Sequence, residues 1–345
     1  MTATTPDTPV ADATPPAGGR GARVSSAALA DLQRRFPVLQ VVALAALYGY
    51  GLATVDGFGS RRVLDAILVQ AALLGLAAAG QTIVVLVGGI DFSIAGLISA
   101  GDVVIAQLCG TQHWSALPAF LVILGIGLVA GLVNGLISYR FRVEPLIVTL
   151  AVSTLLSGLV LRWTNASVTG TAPSWLTSLT SPVGETFGLP VPPVVVIWAV
   201  VAIVIGVVLT RTRPGRNLYL VGTNQQAAKL ALVRVDRVWI GAYIISALLA
   251  VCVGVLLVGY SGSGDLTVGD SYLFQSLAAV IVGGTMFGAR GDYWRTVLGA
   301  LVLSVLALLL SAHNLSSADQ QMISGGLILA VVALYGRERR LRDRV

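Results

Sequence analysis

The feature that most limits what this chain can fold into is the segregation of its charges. Apolar runs recur along the sequence, and its 22 cationic side chains sit almost wholly in the short segments between those runs. A helix that crosses a bilayer needs about 20 mainly apolar residues, and most of the runs meet that length. Only 11% of the 345 residues are charged, against 56% apolar, whereas a soluble domain carries roughly 25% charged residues. Too few charges remain to cover a water-soluble globule of this size. The chain therefore reads as an all-α integral membrane protein whose main surroundings are a lipid bilayer. Its net charge of +6 is explained by orientation in the membrane, and no nucleic-acid partner is expected.

Candidate spans fall near 37–54, 63–87, 92–109, 116–138, 145–162, 194–210, 238–260, 272–285, 295–312 and 320–335. Ten spans put both termini on one side. With that side cytoplasmic, nineteen of the 22 Lys and Arg residues lie inside, leaving Arg61, Arg62 and Arg162 at the outer face. This is the bias the positive-inside rule demands. Spans three and eight are short or glycine-rich. Residues 1–35, rich in Ala, Thr, Pro and Gly, read as a disordered cytoplasmic tail. The transmembrane body covers 36–336, and 337–345 forms a basic cytoplasmic tail. No small-residue cleavage site follows the first apolar run, so that run is expected to remain as a span.

Two connecting segments are long enough to carry a role. The outer one, 163–193, has no Lys or Arg and several Ser, Thr and Pro residues, which suits an extracytoplasmic docking surface. The inner one, 211–237, is basic. In it Thr223 or Asn224 can accept the free N–H groups that open a helix, and Gln225–Leu230 are acceptable helix formers. A short cytoplasmic helix is expected there, and a plain connector on the membrane surface would look the same.

Glycines recur at matched spacing. Gly131 and Gly299 are 168 residues apart, as are Gly158 and Gly326, and the VGG at 87–89 has a counterpart at 282–284. Two related halves are expected, an arrangement that places a solute path at their interface in many transporters. The stretch VGGIDFSIAG, Val87 to Gly96, puts an aspartate and a serine amid apolar sequence. Two readings stay open there. Gly88 and Gly89 allow a tight turn, with Asp91 or Ser93 capping the next helix, or these residues contact the solute.

No catalytic constellation is present. The single lysine, Lys229, lies in AAKLA rather than a phosphate-binding loop, so nucleotide hydrolysis by that route is excluded. His113 and His313 are isolated, which gives no metal site, and Cys109 and Cys252 read as packing residues. Asp91 and Asp102 are the ionisable candidates within the apolar runs. Uncharged polar residues, Gln81, Asn134, Thr149 and Ser153 among them, are more numerous. That balance suits a path for a neutral, hydroxyl-rich solute.

AGQTIVVLVGGIDFSIAG (79–96) resembles the signature of the ribose-type, or monosaccharide-type, ABC importer permeases, in the branched-chain amino acid and sugar permease superfamily. GLVNGLIS (131–138), LIVTLAVSTLLSGL (146–159), TRPGRNLYLVGTNQQAAKLA (212–231) and AAVIVGGTMFGARG (278–291) continue the likeness in the family's order. The resemblance implies a transmembrane transport subunit of a bacterial plasma membrane with no ATPase site of its own. Its implied partners are a cytoplasmic ABC ATPase that binds the ATP, a second permease copy or paralogue, and an extracytoplasmic solute-binding protein. By position, Gly222, Asn224, Ala227 and Ala228 would couple to the ATPase. Gly88, Gly89, Asp91, Ser93, Asn134 and Thr149 would form a translocation path or helix hinge. The family's acidic pair ahead of AAV is replaced by Tyr272-Leu273-Phe274-Gln275, which weakens any specific claim for ribose. The alternative is a stand-alone secondary transporter or facilitator for a small polar solute.

Overall fold

The computed structural model describes residues 37–285, 287–288, 291–316 and scattered positions between 318 and 329. The expected tails 1–35 and 337–345, and most of the tenth span, lie outside the described residues. The chain divides into two units, 1–39 and 40–345. Only residues 37–39 of the first are described, and apart from the first two residues of the first helix everything below concerns the second.

The described residues form helices and turns without a strand, as the sequence anticipates. In order these are α1 (Val38–Thr54), α2 (Arg61–Val87), α3 (Ile94–Ile105) continued by a π-helical segment π1 (Ala106–Thr111), α4 (Ala116–Arg140) and α5 (Pro145–Trp163). Then follow α6 (Ser174–Thr180), α7 (Pro193–Arg211), α8 (Arg213–Thr223), α9 (Gln225–Leu230), α10 (Val235–Ser261), α11 (Val268–Val282) and α12 (Tyr293–Ala312). Among the described residues, seven helical stretches are long and apolar enough to cross a membrane: α2, α3 with π1, α4, α5, α7, α10 and α12. α1 and α11 are shorter apolar helices. Prolines open α5 and α7 in the first turn, where the missing N–H has no intrahelical acceptor to lose.

The centre of the bundle is α2, α3 and α10. Every residue of α2 from Ala71 to Val87 is buried, as is all of α3. A helix apolar on all sides belongs in the interior, and α2 meets that condition with alanines and glycines that let neighbours approach. α4 and α10 also approach closely, through glycines. Gly127, Gly131 and Gly135, four residues apart, form a stripe on α4. A β-carbon on them would fall 2.9 Å from Val251 Cγ2, 2.6 Å from Ile244 Cα and 2.7 Å from Ile240 Cα. Small residues at this spacing let two membrane helices pack backbone to backbone.

Outward, α4, α5 and α7 present large apolar side chains, among them Leu117, Val129, Leu155, Leu159 and Val200. Monomeric soluble proteins rarely expose contiguous apolar patches beyond a few hundred Å², and lipid is the solvent that these faces fit. One end of the bundle carries α8 and α9. The opposite end carries the 164–192 connection, which is more ordered than a plain loop. α6 lies within it, Leu176 and Thr180 are buried, and Gly259 of α10 lets the Leu176 carbonyl approach to 2.7 Å of where a β-carbon would stand.

Candidate functional site

α2 ends on Gly88, whose φ of +93° is a conformation that glycine adopts without the steric cost other residues meet. Gly88 N–H donates to Val85 O and Gly89 N–H to Val84 O, both at 3.0 Å. This paired pattern closes a helix with a left-handed residue. Gly284 repeats it at the end of α11 with φ +86°, Gly284 N–H donating to Ile281 O and Thr285 N–H to Val280 O. The two VGG stretches thus end their helices in the same way, with the left-handed glycine one position later in the second.

Between Gly88 and α3 the chain enters a polar knot. The Gln81 amide of α2 grips the Asp91 backbone twice, Oε1 accepting from Asp91 N–H at 3.3 Å and Nε2 donating to Asp91 O at 3.2 Å. Asp91 Oδ1 accepts from Ser93 N–H at 2.9 Å and from the Ser93 hydroxyl at 2.5 Å. Asp91 Oδ2 accepts from the Ser246 hydroxyl of α10 at 2.7 Å. Asn134 Nδ2 of α4 donates to Ser93 Oγ at 2.8 Å. From α5, Thr149 Oγ1 accepts Phe92 N–H at 3.0 Å and Ser153 Oγ accepts Gly96 N–H at 3.0 Å. Tyr243 of α10 donates to Ile90 O at 3.4 Å.

The six residues grouped by sequence, Gly88, Gly89, Asp91, Ser93, Asn134 and Thr149, therefore meet in one place. Asp91, Ser93, Asn134 and Thr149 are fully buried. One expectation needs correction. Neither Asp91 nor Ser93 caps α3 in the strict sense, because Ser93 occupies the cap position with helical backbone and no side-chain cap bond. The aspartate instead folds the approach to the helix, and the N–H of Gly96 is taken by Ser153 from a different helix. Buried polar groups need partners, and here the partners come from α2, α4, α5 and α10. The knot holds the α2–α3 connection to four helices at once. Asn134 Oδ1 is left without a hydrogen-bond partner.

Sequence reasoning noted Gln81 and Ser153 only as polar residues and missed Tyr243 and Ser246. A hydroxyl in the apolar run of α10 was the available signal, but such residues commonly serve as interhelical glue. Asp102, the other intramembrane carboxylate, sits on α3 away from the knot. Its Oδ1 accepts Asp265 N–H at 2.7 Å, and its Oδ2 has no partner. Cys109 and Cys252 are free and half-buried, and no cluster that could hold a metal occurs among the described residues.

At the α8–α9 end, the expected short helix is present. Asn224, with extended backbone, accepts Gln226 N–H at 2.9 Å and Ala227 N–H at 3.0 Å through Oδ1. Of the four coupling candidates, Asn224 and Ala227 are exposed and Gly222 is half-buried. Ala228 faces inward against Val221 and Val235, so it seats α9 on the bundle. Leu230 and Leu232, which the sequence did not flag, project from this end at 87% and 91% exposure.

The same elbow touches the other motif segments. Tyr219 of α8 donates to Gly291 O at 2.8 Å. Burial, reinforced by the nearby Asp292 carboxylate, pushes its phenol up to about 12, so the donor keeps its proton at neutral pH. Gly288 N–H donates to Val85 O at 3.3 Å, and Gly222 O lies 3.0 Å from where a β-carbon on Gly288 would be. The segment after α11 thus lies between α8 and the last turn of α2, one step from the knot.

Comparison with known proteins adds to this geometry. A family model described as branched-chain amino acid transport system / permease component matches residues 63–332. The chain is 32% identical over 301 residues to the fructose import permease protein FrcC of Rhizobium meliloti, covering 85% of this chain and 83% of that protein. It is 32% identical over 276 residues to the ribose import permease protein RbsC of Escherichia coli K12, covering 79% and 85% respectively. The ribose import permease protein RbsC of Bacillus subtilis is 34% identical over 272 residues, with 78% of this chain and 83% of that protein covered. No solved structure matches the chain.

Proposed function

The chain belongs to the branched-chain amino acid transport system / permease component family, and from that premise we propose that it is the transmembrane subunit of an ATP-binding-cassette importer for a monosaccharide or similar polyol. The observation that carries this reading is the similarity, over more than three quarters of the chain, to proteins named as ribose and fructose import permeases. The chain supplies the passage. ATP binds and is hydrolysed on a separate cytoplasmic subunit, and an extracytoplasmic binding protein delivers the solute to the 163–193 face.

In this reading the body crosses the bacterial plasma membrane ten times, with the tenth span near 320–335 and both termini cytoplasmic. The cationic segments support that orientation. It puts the α8–α9 elbow in the cytoplasm, where Asn224, Ala227, Leu230 and Leu232 face the ATPase. Motion of the elbow would pass through Tyr219 and Gly222 to the segment holding Gly288 and Gly291, then to Val85 and the Asp91 knot. A second permease, identical or paralogous, completes the passage, with two related halves in each.

The test is reconstitution in proteoliposomes with radiolabelled ribose and fructose. Uptake should require the ATPase subunit, the binding protein and internal ATP together. Solute movement by the chain alone, down its own gradient or driven by an ion gradient, would overturn the assignment.

A further inference from the structure

At the end of the bundle opposite the α8–α9 elbow, an open cleft of about 350 Å³ is lined by Gln107, Gln112, Trp163, Thr164, Asn165, Ser167 and Thr169, of which Gln107 is buried, Thr164 half-buried and the rest exposed. We propose that this cleft is a receiving site for a neutral, hydroxyl-rich solute on the permease itself, rather than a passive opening beneath the binding protein. The inference rests on the importer reading for its direction of transport and for the general class of its solute.

Three independent features carry it. The first is the lining. No charged side chain contributes, while two glutamines, an asparagine and three hydroxyl residues do. Among the described residues, the side chains of Gln107, Gln112, Asn165, Ser167 and Thr169 and the Trp163 indole N–H make no hydrogen bond. Thr164 alone is turned inward, donating to Val160 O at 2.9 Å. Amides and hydroxyls both donate and accept, so together they match a solute that also does both. The indole supplies an apolar face beside a polar rim, which suits the C–H face of a sugar ring. The absence of charge disfavours phosphates and carboxylates.

The second feature is π1. Gln107 lies on it and Gln112 follows it directly, with Gln112 N–H donating to Gln107 O at 2.9 Å. Such segments are rare and cluster at functional sites. The third is the adjacent turn. Asn165 and Ala166 have φ of +50° and +59°, a consecutive left-handed pair that asparagine tolerates and alanine adopts only at a cost, and strain of this kind collects at ligand sites. The volume is at the small end of ligand pockets, which fits a single small solute.

The experiment uses the full chain in lipid nanodiscs, with D-ribose, D-fructose and D-gluconate observed by saturation-transfer difference NMR. Both neutral sugars should give a saturable signal and gluconate none. Trp163→Leu and Gln107→Leu should each weaken sugar binding about fivefold or more, as expected for loss of one good contact. Asn165→Gly removes the amide while relieving the left-handed backbone, so weakened binding in that variant cannot be put down to misfolding. Unchanged binding in all three variants, or an equal signal from gluconate, would overturn the proposal. That failure is separable from failure of the importer reading. ATP-dependent uptake by the assembled complex would survive the first, whereas sugar binding by the isolated chain would survive the second.

Discussion

Replacing Asp91 with alanine removes both carboxylate oxygens from a point where three donors converge. Ser93 N–H is fixed by the backbone and would be left buried and unsatisfied, which costs about 1–3 kcal/mol. The Ser93 and Ser246 hydroxyls can turn elsewhere but lose bonds to a charged acceptor, each worth about 1.5–3 kcal/mol. Relief from burying a carboxylate offsets part of this loss, leaving a net destabilisation of about 3 kcal/mol. Asparagine differs in a telling way. Its carbonyl oxygen can take the place of Oδ1 for Ser93, and its amide can donate to Ser246, whose hydroxyl also accepts. The expected cost is about 1 kcal/mol or less. At about 2–4 °C per kcal/mol for chains of 150–250 residues, alanine should lower the unfolding midpoint of the solubilised protein by roughly 6–12 °C. Asparagine should lower it by roughly 4 °C at most. Fluorescence-detected size exclusion after heating reads the midpoint, and uptake by the assembled transporter reads function. Asp91→Asn should transport. An Asp91→Asn protein that is stable and ATPase-bound yet inactive would refute the structural role and place the charge in the transport step. An unchanged midpoint for Asp91→Ala would show that the knot does not hold the bundle together.

Other substitutions test the remaining geometry. Ala227→Asp, on the exposed face of α9, should leave stability within about 0.5 kcal/mol and abolish ATPase co-purification. Ala228→Asp should instead destabilise the elbow by several kcal/mol, because it puts a charge against Val221 and Val235. Both variants can be read by pull-down and thermal unfolding. Asn224→Ala should cost about 1 kcal/mol through loss of the cap, with Asn224→Asp near wild type in the same unfolding assay. Gly88→Ala meets no neighbour within 4 Å but must hold φ +93°, so a penalty of about 1–2 kcal/mol is expected from backbone alone. Gly131→Leu should prevent folding, seen as lost monodisperse protein. Gly125→Leu, with nothing within 4 Å, should be harmless.

The spans were legible because hydropathy is a local property. The run near 63–87 became Arg61–Val87, and that near 145–162 became Pro145–Trp163. The Asn224 cap was legible for the same reason, since its acceptor and donors lie within three residues. Two helices were not foreseen. In α8 the Pro214-Gly215 pair looks like a break, yet proline in a first turn favours a helix start, and Thr212 accepts Gly215 N–H to cap it. In α6 the seven residues carry too weak a pattern to separate a helix from a polar loop, and burial of Leu176 against α10 decides the matter.

By itself the sequence determined that this chain enters a membrane, where its long apolar helices lie and which residue types are out of place in lipid. Those are consequences of transfer energies and capping, which act over a few neighbouring residues. Only the tertiary structure decided what the misplaced residues do. Gly88, Asp91, Asn134, Thr149 and Ser246 are up to 158 positions apart, and their meeting depends on α4 approaching α10 along a stripe of glycines. Ala227 and Ala228 are adjacent and chemically alike, yet one faces outward and the other seats the helix. The geometry of packing separates them, because a hydrogen bond or a close contact is set by position in space and hydropathy is not.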